Sequence, residues 1–243
     1  MSAVEASSTE SKSAGASRDF AGTWFASMPL PGLQEAVSAW VDARLDPKDV
    51  EDDVRVIGRT GGGLVRDQSA SVLLGLPAAP DAAARAVLGA LPAPRVEVGA
   101  LRCFPVERVR LPAHAKPHDA SPMAATASDG AGEVREYRVL YVDLLPCGAS
   151  GGLASLQGVQ RLLGALFPEE NGAARVWHHP QYTPHATVAF VRADAAHKYE
   201  GQTLGTGGGA PLQLALDKLI FKAFRDKTQA LVEIALRPRA STA

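Results

Sequence analysis

The stretch from Tyr182 to Tyr199 reads YTPHATVAFVRADAAHKY. Its first half constrains the fold more than any other segment. Ala186, Val188 and Phe190 alternate with His185, Thr187 and Ala189, the period of a strand with one face in a core. Residues i and i+2 of a strand share a face, roughly 7 Å apart. His185 and Thr187 therefore point one way, and the apolar set points the other way. Pro184 holds the residue before it extended. An imidazole beside a hydroxyl on the exposed face of a sheet suits a phosphate: the hydroxyl donates to a phosphoryl oxygen while the imidazole moves a proton. A lone strand histidine is more often structural, so the flanking sequence has to carry the case.

A second segment repeats the pattern. Ser69–Leu74 reads SASVLL against HATVAF for 185–190, with Ala second, a hydroxyl third and Val fourth in both. An alanine-rich helical segment follows each, Asp81–Leu91 in one case and Ala193–Tyr199 in the other. The two strands start 116 residues apart, at Ser69 and His185. That spacing reads as an internal duplication with one strand per half.

The other elements follow from the same rules. Thr23–Met28 reads as a strand ended by Pro29 and Pro31, and Leu33–Leu45 as a helix. Asp46–Asp53 is acidic and reads as a solvated loop. Gly61-Gly62-Gly63 is no phosphate-cradling loop, because no Gly-Lys-Ser/Thr follows it. Arg95–Phe104 and Arg138–Leu145 alternate as strands, and Leu153–Phe167 has one apolar helical face. Leu212–Phe224 and Ala230–Leu236 read as a hairpin around Arg225-Asp226-Lys227. From Pro105 to about Gly132 the chain turns to Pro, Ala, Ser, His and Asp, the composition of a surface insertion. Pro117 lies between His114 and His118 and breaks the helix that would make them a metal pair.

Composition narrows the function. The chain has 243 residues, 46% hydrophobic, with a net charge of −1. That charge excludes bulk polyanion binding and leaves room only for a local basic patch. Cys103 and Cys147 lack metal spacing and fit a reducing compartment. No apolar run approaches the ~20 residues needed to cross a membrane. The N-terminus mixes Glu5 and Glu10 with Ser and Ala, unlike a secretory leader. The expected organisation is a disordered tail over 1–18, a two-lobed domain over 19–237 with an insertion at about 105–132, and a short tail over 238–243. The expected location is cytoplasmic, with no membrane contact, and the expected state is a monomer.

Four segments, TPHATVAFVRADAAHKYEG, SASVLLGL, RVEVGALRCF and LDKLIFKAFRDKTQALVEI, together resemble the two-histidine (HxTx) phosphoesterase superfamily. That group includes 2'-5' RNA ligase-like proteins and 2',3'-cyclic nucleotide phosphodiesterases. The resemblance covers most of residues 20–237. It implies an α+β fold of two pseudo-symmetric lobes of antiparallel sheet, with helices on the outer faces and a phosphate-binding groove between. It implies no cofactor and no metal, and a nucleotide or RNA end with a cyclic or terminal phosphate as partner. His185 and Thr187 would be catalytic, and Ser69, Ser71 and Arg66 would hold phosphate. The departure is at Ser69, where the family has its first histidine. A serine hydroxyl cannot exchange a proton near neutral pH as imidazole does. Losing one positioned acid or base costs ~10²–10⁴ in rate. The resemblance thus implies a phosphoesterase-like protein of reduced activity. The alternative is a non-catalytic RNA- or nucleotide-binding protein, or a protein-interaction module on the same fold. His178 and His179 read as ordinary residues before the strand, and Lys198, Lys222 and Arg225 as further basic candidates for the groove.

Overall fold

The computed structural model describes residues 23–57, 62–111, 133–147, 152–168, 182–205, 211–223 and 231–238. The strands are β1 (Trp24–Pro29), β2 (Ser69–Leu76), β3 (Arg95–Cys103), β4 (Glu107–Arg110), β5 (Val134–Pro146), β6 (His185–Arg192), β7 (Gln213–Ala215), β8 (Lys218–Ala223) and β9 (Val232–Ala235). The helices are α1 (Pro31–Arg44), α2 (Val54–Ile57), α3 (Ala82–Gly89) and α4 (Leu156–Leu166). All the strands join one curled antiparallel sheet in the order β7-β3-β5-β6-β2-β1-β8-β9, with β4 added beside β5. The fold class is α+β, as the sequence implies. Among the described residues no helix is long and apolar enough to cross a membrane.

The two motif strands, β2 and β6, meet at the centre of the sheet. Each half gives a strand to the other. The chain leaving β2 through α3 returns as β3 beside β5, and the chain leaving β6 returns as β8 beside β1. One face of the sheet is covered by α1 and α4. Leu33, Val37 and Trp40 of α1, at helical spacing, and Leu156, Val159 and Leu163 of α4 join Ala70, Val72, Val142, Ala186 and Val188 in one core.

The internal repeat extends to irregularities that composition cannot show. Against β1, the ladder of β2 steps from Ser71 to Leu73, so Val72 is an extra residue. Against β5, the ladder of β6 steps from Thr187 to Ala189, so Val188 is an extra residue. The two bulges lie 116 positions apart, as do Ser69 and His185. A bulge breaks the strict alternation of faces. Val72 with Leu73, and Val188 with Ala189, are accordingly buried as consecutive pairs. Phe190, expected in the same apolar set as Ala186, instead packs with Tyr137, Val56, Ile57 and Leu111 in a separate cluster.

Four other expectations are corrected. Leu212–Phe224 is two strands: β7 pairs with β3 and β8 with β1, because buried Leu216 carries the chain from one lobe to the other. β8 and β9 do form the expected hairpin pairing, and the turn at 225–227 lies outside the described residues. The start of the 105–132 insertion is ordered structure, since β4 pairs with β5 and Leu111 is buried; His114 and His118 lie outside the described residues. Ala193–Tyr199 holds only one short 3-10 turn, Ala196–Lys198.

The acidic stretch 46–53 is the fourth, for it is not simply solvated. Asp49 is 1% exposed and accepts hydrogen bonds from Lys198 Nζ at 2.8 Å and Tyr199 Oη at 2.6 Å. These bonds, led by that from Lys198, hold its carboxyl below the usual carboxylate range against the opposing effect of burial. A lowered folded pKa contributes stability that is present above the unfolded value of about 3.9 and is lost as pH falls towards the folded one. Asp49→Asn is expected to destabilise the fold by about 2–3 kcal/mol at neutral pH, below the full figure for a buried pair because Lys198 is half exposed. Melting curves taken from pH 6 to pH 2 check this: the acid-induced drop should be shallower in the variant than in the wild type.

Candidate functional site

The junction of β2 and β6 brings the motif residues together. Ala70 faces Ala186 across the antiparallel pair. Continued by one residue in each direction, that register sets Ser71 against His185 and Ser69 against Thr187. Directly opposed residues share a face, with Cβ atoms roughly 4.5–5.5 Å apart. Ala70 and Ala186 lie in the core, so the three hydroxyls and the imidazole turn to the opposite face, where all four are half-buried. Ser69, Ser71, His185 and Thr187 thus share one face of the sheet in this register.

The flanking strands extend the two rows. Asp143 of β5 stands opposite His185, and Tyr141 opposite Thr187. Ser27 of β1 stands opposite Ser71, and Arg102 of β3 opposite Tyr141. One row is thus Ser27, Ser71, His185, Asp143, and the next is Ser69, Thr187, Tyr141, Arg102. Arg102 Nε donates to Asp143 Oδ2, tying the rows together at their end. Gly99 makes room for that carboxylate, since a Cβ there would lie 3.1 Å from Asp143 Cβ.

His185 is held in a defined orientation. Its ring packs edge-on to Phe104 at 4.9 Å and to Tyr141 at 5.3 Å, and those two rings stack on each other at 4.1 Å. Nδ1 lies 2.7 Å from the Thr183 carbonyl oxygen. A carbonyl only accepts, so in the neutral ring Nδ1 carries the proton and Nε2 the lone pair. That is the tautomer of a general base. The Tyr141 phenol is pushed up from its ordinary pKa, first by burial and then by Asp143, so it remains a neutral hydrogen-bonding group. Burial pushes the Cys103 thiol up to about 11, which keeps it from acting as a nucleophile near neutral pH. Among the described residues, no three His, Cys, Asp or Glu side chains gather as a metal site would require.

Other candidates fall elsewhere. Arg66 lines a small surface recess of about 170 Å³ with Val37, Ser38, Val41 and Asp42 of α1 and with Val188. That recess is on the α1 side of the sheet, away from the face of His185 and Thr187, so the structure does not bring Arg66 to the hydroxyls. Lys198 is committed to Asp49. Lys222 lies on β8, paired with Phe25 of β1. His178, His179 and Arg225 lie outside the described residues. Sequence reading missed Ser27, Tyr141, Asp143 and Arg102. The alternation in RVLYVDLL puts Tyr141 and Asp143 on one face, but only strand pairing shows that this face is that of His185.

No family model matches the chain, and no curated protein matches it. Among solved structures, TT0787 of Thermus thermophilus is similar at 16% identity, over 88% of this chain and 95% of that one, with a TM-score of 0.41. LigT of E. coli complexed with NADP+ is similar at 13% identity, over 89% of this chain and 95% of that one, with a TM-score of 0.44. A phosphoesterase crystal structure is similar at 13% identity, over 89% of this chain and 96% of that one, with a TM-score of 0.39.

Proposed function

We propose that the β2–β6 junction is a phosphate site, and that the protein binds or slowly hydrolyses the 2',3'-cyclic or terminal phosphate of a nucleotide or RNA end. The observation that supports this most is the Ala70–Ala186 register. It sets three hydroxyl donors and one oriented imidazole on a single face at the centre of the sheet. Three hydroxyls can hold the phosphoryl oxygens, and His185 Nε2 can take a proton from an attacking water or ribose hydroxyl. The sequence resemblance to the two-histidine phosphoesterases supports the same assignment, with His185 and Thr187 as the intact motif.

Among the described residues the site has no second imidazole. A cyclic phosphate opens when a base activates water and an acid protonates the departing ribose oxygen. His185 supplies one of these roles, and Ser69 cannot supply the other. Slow turnover follows, with binding as the better preserved property.

Hydrolysis of 2',3'-cyclic AMP and of cyclic-phosphate-ended RNA tests the reading, with His185→Ala beside the wild type. A slow wild-type rate that falls by ~10²-fold or more in the variant is expected. If the wild type neither binds nor hydrolyses either compound, the phosphate assignment is wrong and the interaction-module alternative stands ahead.

A further inference from the structure

Arg102 and Asp143 form a charge pair at the end of the two rows that carry the hydroxyls and the imidazole. Arg102 stands opposite Tyr141, which stands opposite Thr187. Successive strands lie roughly 4.8 Å apart, so two strand spacings separate Arg102 from Thr187, within reach of an arginine side chain. Its side chain is 61% exposed while that of Asp143 is 15% exposed. The carboxylate is thus fixed in the sheet face and the guanidinium lies over it at the surface. The bond to Asp143 uses Nε. The two terminal nitrogens of the guanidinium fork remain on the other side of the group, the side suited to a bidentate contact with phosphate. Both charges are felt at the Tyr141 hydroxyl, with opposite sign, which places the pair beside the ring that walls His185. Among the described residues Asp143 is the only acid with which Arg102 forms an ion pair.

We propose that Arg102 is the phosphate-contacting cation of this groove, presented and half-neutralised by Asp143, and that the pair tunes the site for singly charged phosphodiesters over doubly charged phosphomonoesters. This rests on the phosphate reading of the β2–β6 junction. The arginine contributes one positive charge and the aspartate cancels it at slightly longer range. A monoanion gains the fork contact with little net repulsion. A dianion brings a second negative charge towards a carboxylate that cannot move away, because it belongs to the row of His185. A 2',3'-cyclic nucleotide is the first kind of ligand, and its ring-opened product is the second at neutral pH. The same pair therefore favours substrate entry and product departure.

Titration calorimetry on the full chain tests this, with 2',3'-cyclic AMP as monoanion and 3'-AMP as dianion at pH 7.5. Arg102→Gln is expected to weaken 2',3'-cyclic AMP binding by roughly ten- to a hundredfold, with Arg102→Lys recovering part of the loss. Asp143→Asn is expected to tighten 3'-AMP by roughly tenfold and the cyclic nucleotide by less, narrowing the preference. A purely structural role for Asp143 would weaken both ligands together, and that result would overturn the proposal. So would unchanged binding in Arg102→Gln while Ser71→Ala weakens it, which would leave the phosphate site standing with another cation. If the wild type binds neither nucleotide, the proposal fails together with the reading beneath it. Melting curves for each variant separate lost binding from lost folding.

Discussion

Replacing Ser69 with histidine is expected to raise the hydrolysis of 2',3'-cyclic AMP by ~10²-fold or more over the wild type. Position 69 stands to the bulge at Val72 as position 185 stands to the bulge at Val188. An imidazole at 69 would leave β2 on the face that His185 uses on β6, against Thr187, whose hydroxyl is small enough to leave room for it. One histidine then activates water while the other protonates the departing ribose oxygen. The gain lies in the proton-transfer step, so it should appear in kcat. His185→Ala placed on top of Ser69→His should remove the gain, because a lone imidazole at 69 restores only one role. Product formation followed by chromatography decides the matter. A folded Ser69→His protein that binds 2',3'-cyclic AMP as before and hydrolyses it no faster would show that the two positions are not equivalent.

The second large effect concerns Gly158, inside α4. Its amide donates to the Oγ of Ser155, the residue that caps the helix, at 3.1 Å. A Cβ at this position would stand 1.9 Å from the Gly152 carbonyl oxygen, 2.6 Å from its carbon and 2.8 Å from Leu153 Cα. Every one of those atoms is backbone, so no side chain can turn aside. Gly158→Ala must lift α4 or rebuild the turn over 152–154. On an open helix the same change would stabilise by ~1 kcal/mol. Here a loss of about 3 kcal/mol or more is expected, the scale of severe overpacking. A fall in the urea midpoint with an unchanged slope is the expected signature. An unshifted or raised midpoint would mean that α4 does not sit against this turn. Because α4 packs behind β2, looser packing there would also blur the placement of Ser69 and Ser71.

Much of this was legible in the residues. Period-two alternation identifies β2, β3, β5 and β6, and helical spacing of Leu33, Val37 and Trp40 identifies α1. The pairing of SASVLL with HATVAF located the two strands that meet. What stayed hidden depends on partners distant in the chain. Nothing near Asp49 announces Lys198 and Tyr199, so an acidic run reads as solvated when one of its members is buried. Leu212–Phe224 has no break signal strong enough to show that its two parts join opposite lobes. Arg102 and Asp143 are ordinary residues in ordinary strands until the pairing of β3, β5 and β6 sets them beside His185. Arg66 is the converse case. Nearness in sequence to a motif strand suggested a role, while the residue lines a recess with residues of α1.

The exchange of β3 and β8 has a consequence for how the protein opens. Were the halves self-contained, each could unfold while the other persisted, as in a two-domain chain. Here, unfolding the N-terminal half strips β3 from β5, and unfolding the C-terminal half strips β8 from β1. Either event leaves a bare sheet edge in the half that remains, with its backbone groups unpaired. The two halves are therefore one cooperative unit with a single unfolding transition, and neither face of the β2–β6 junction can be relaxed by melting one half alone.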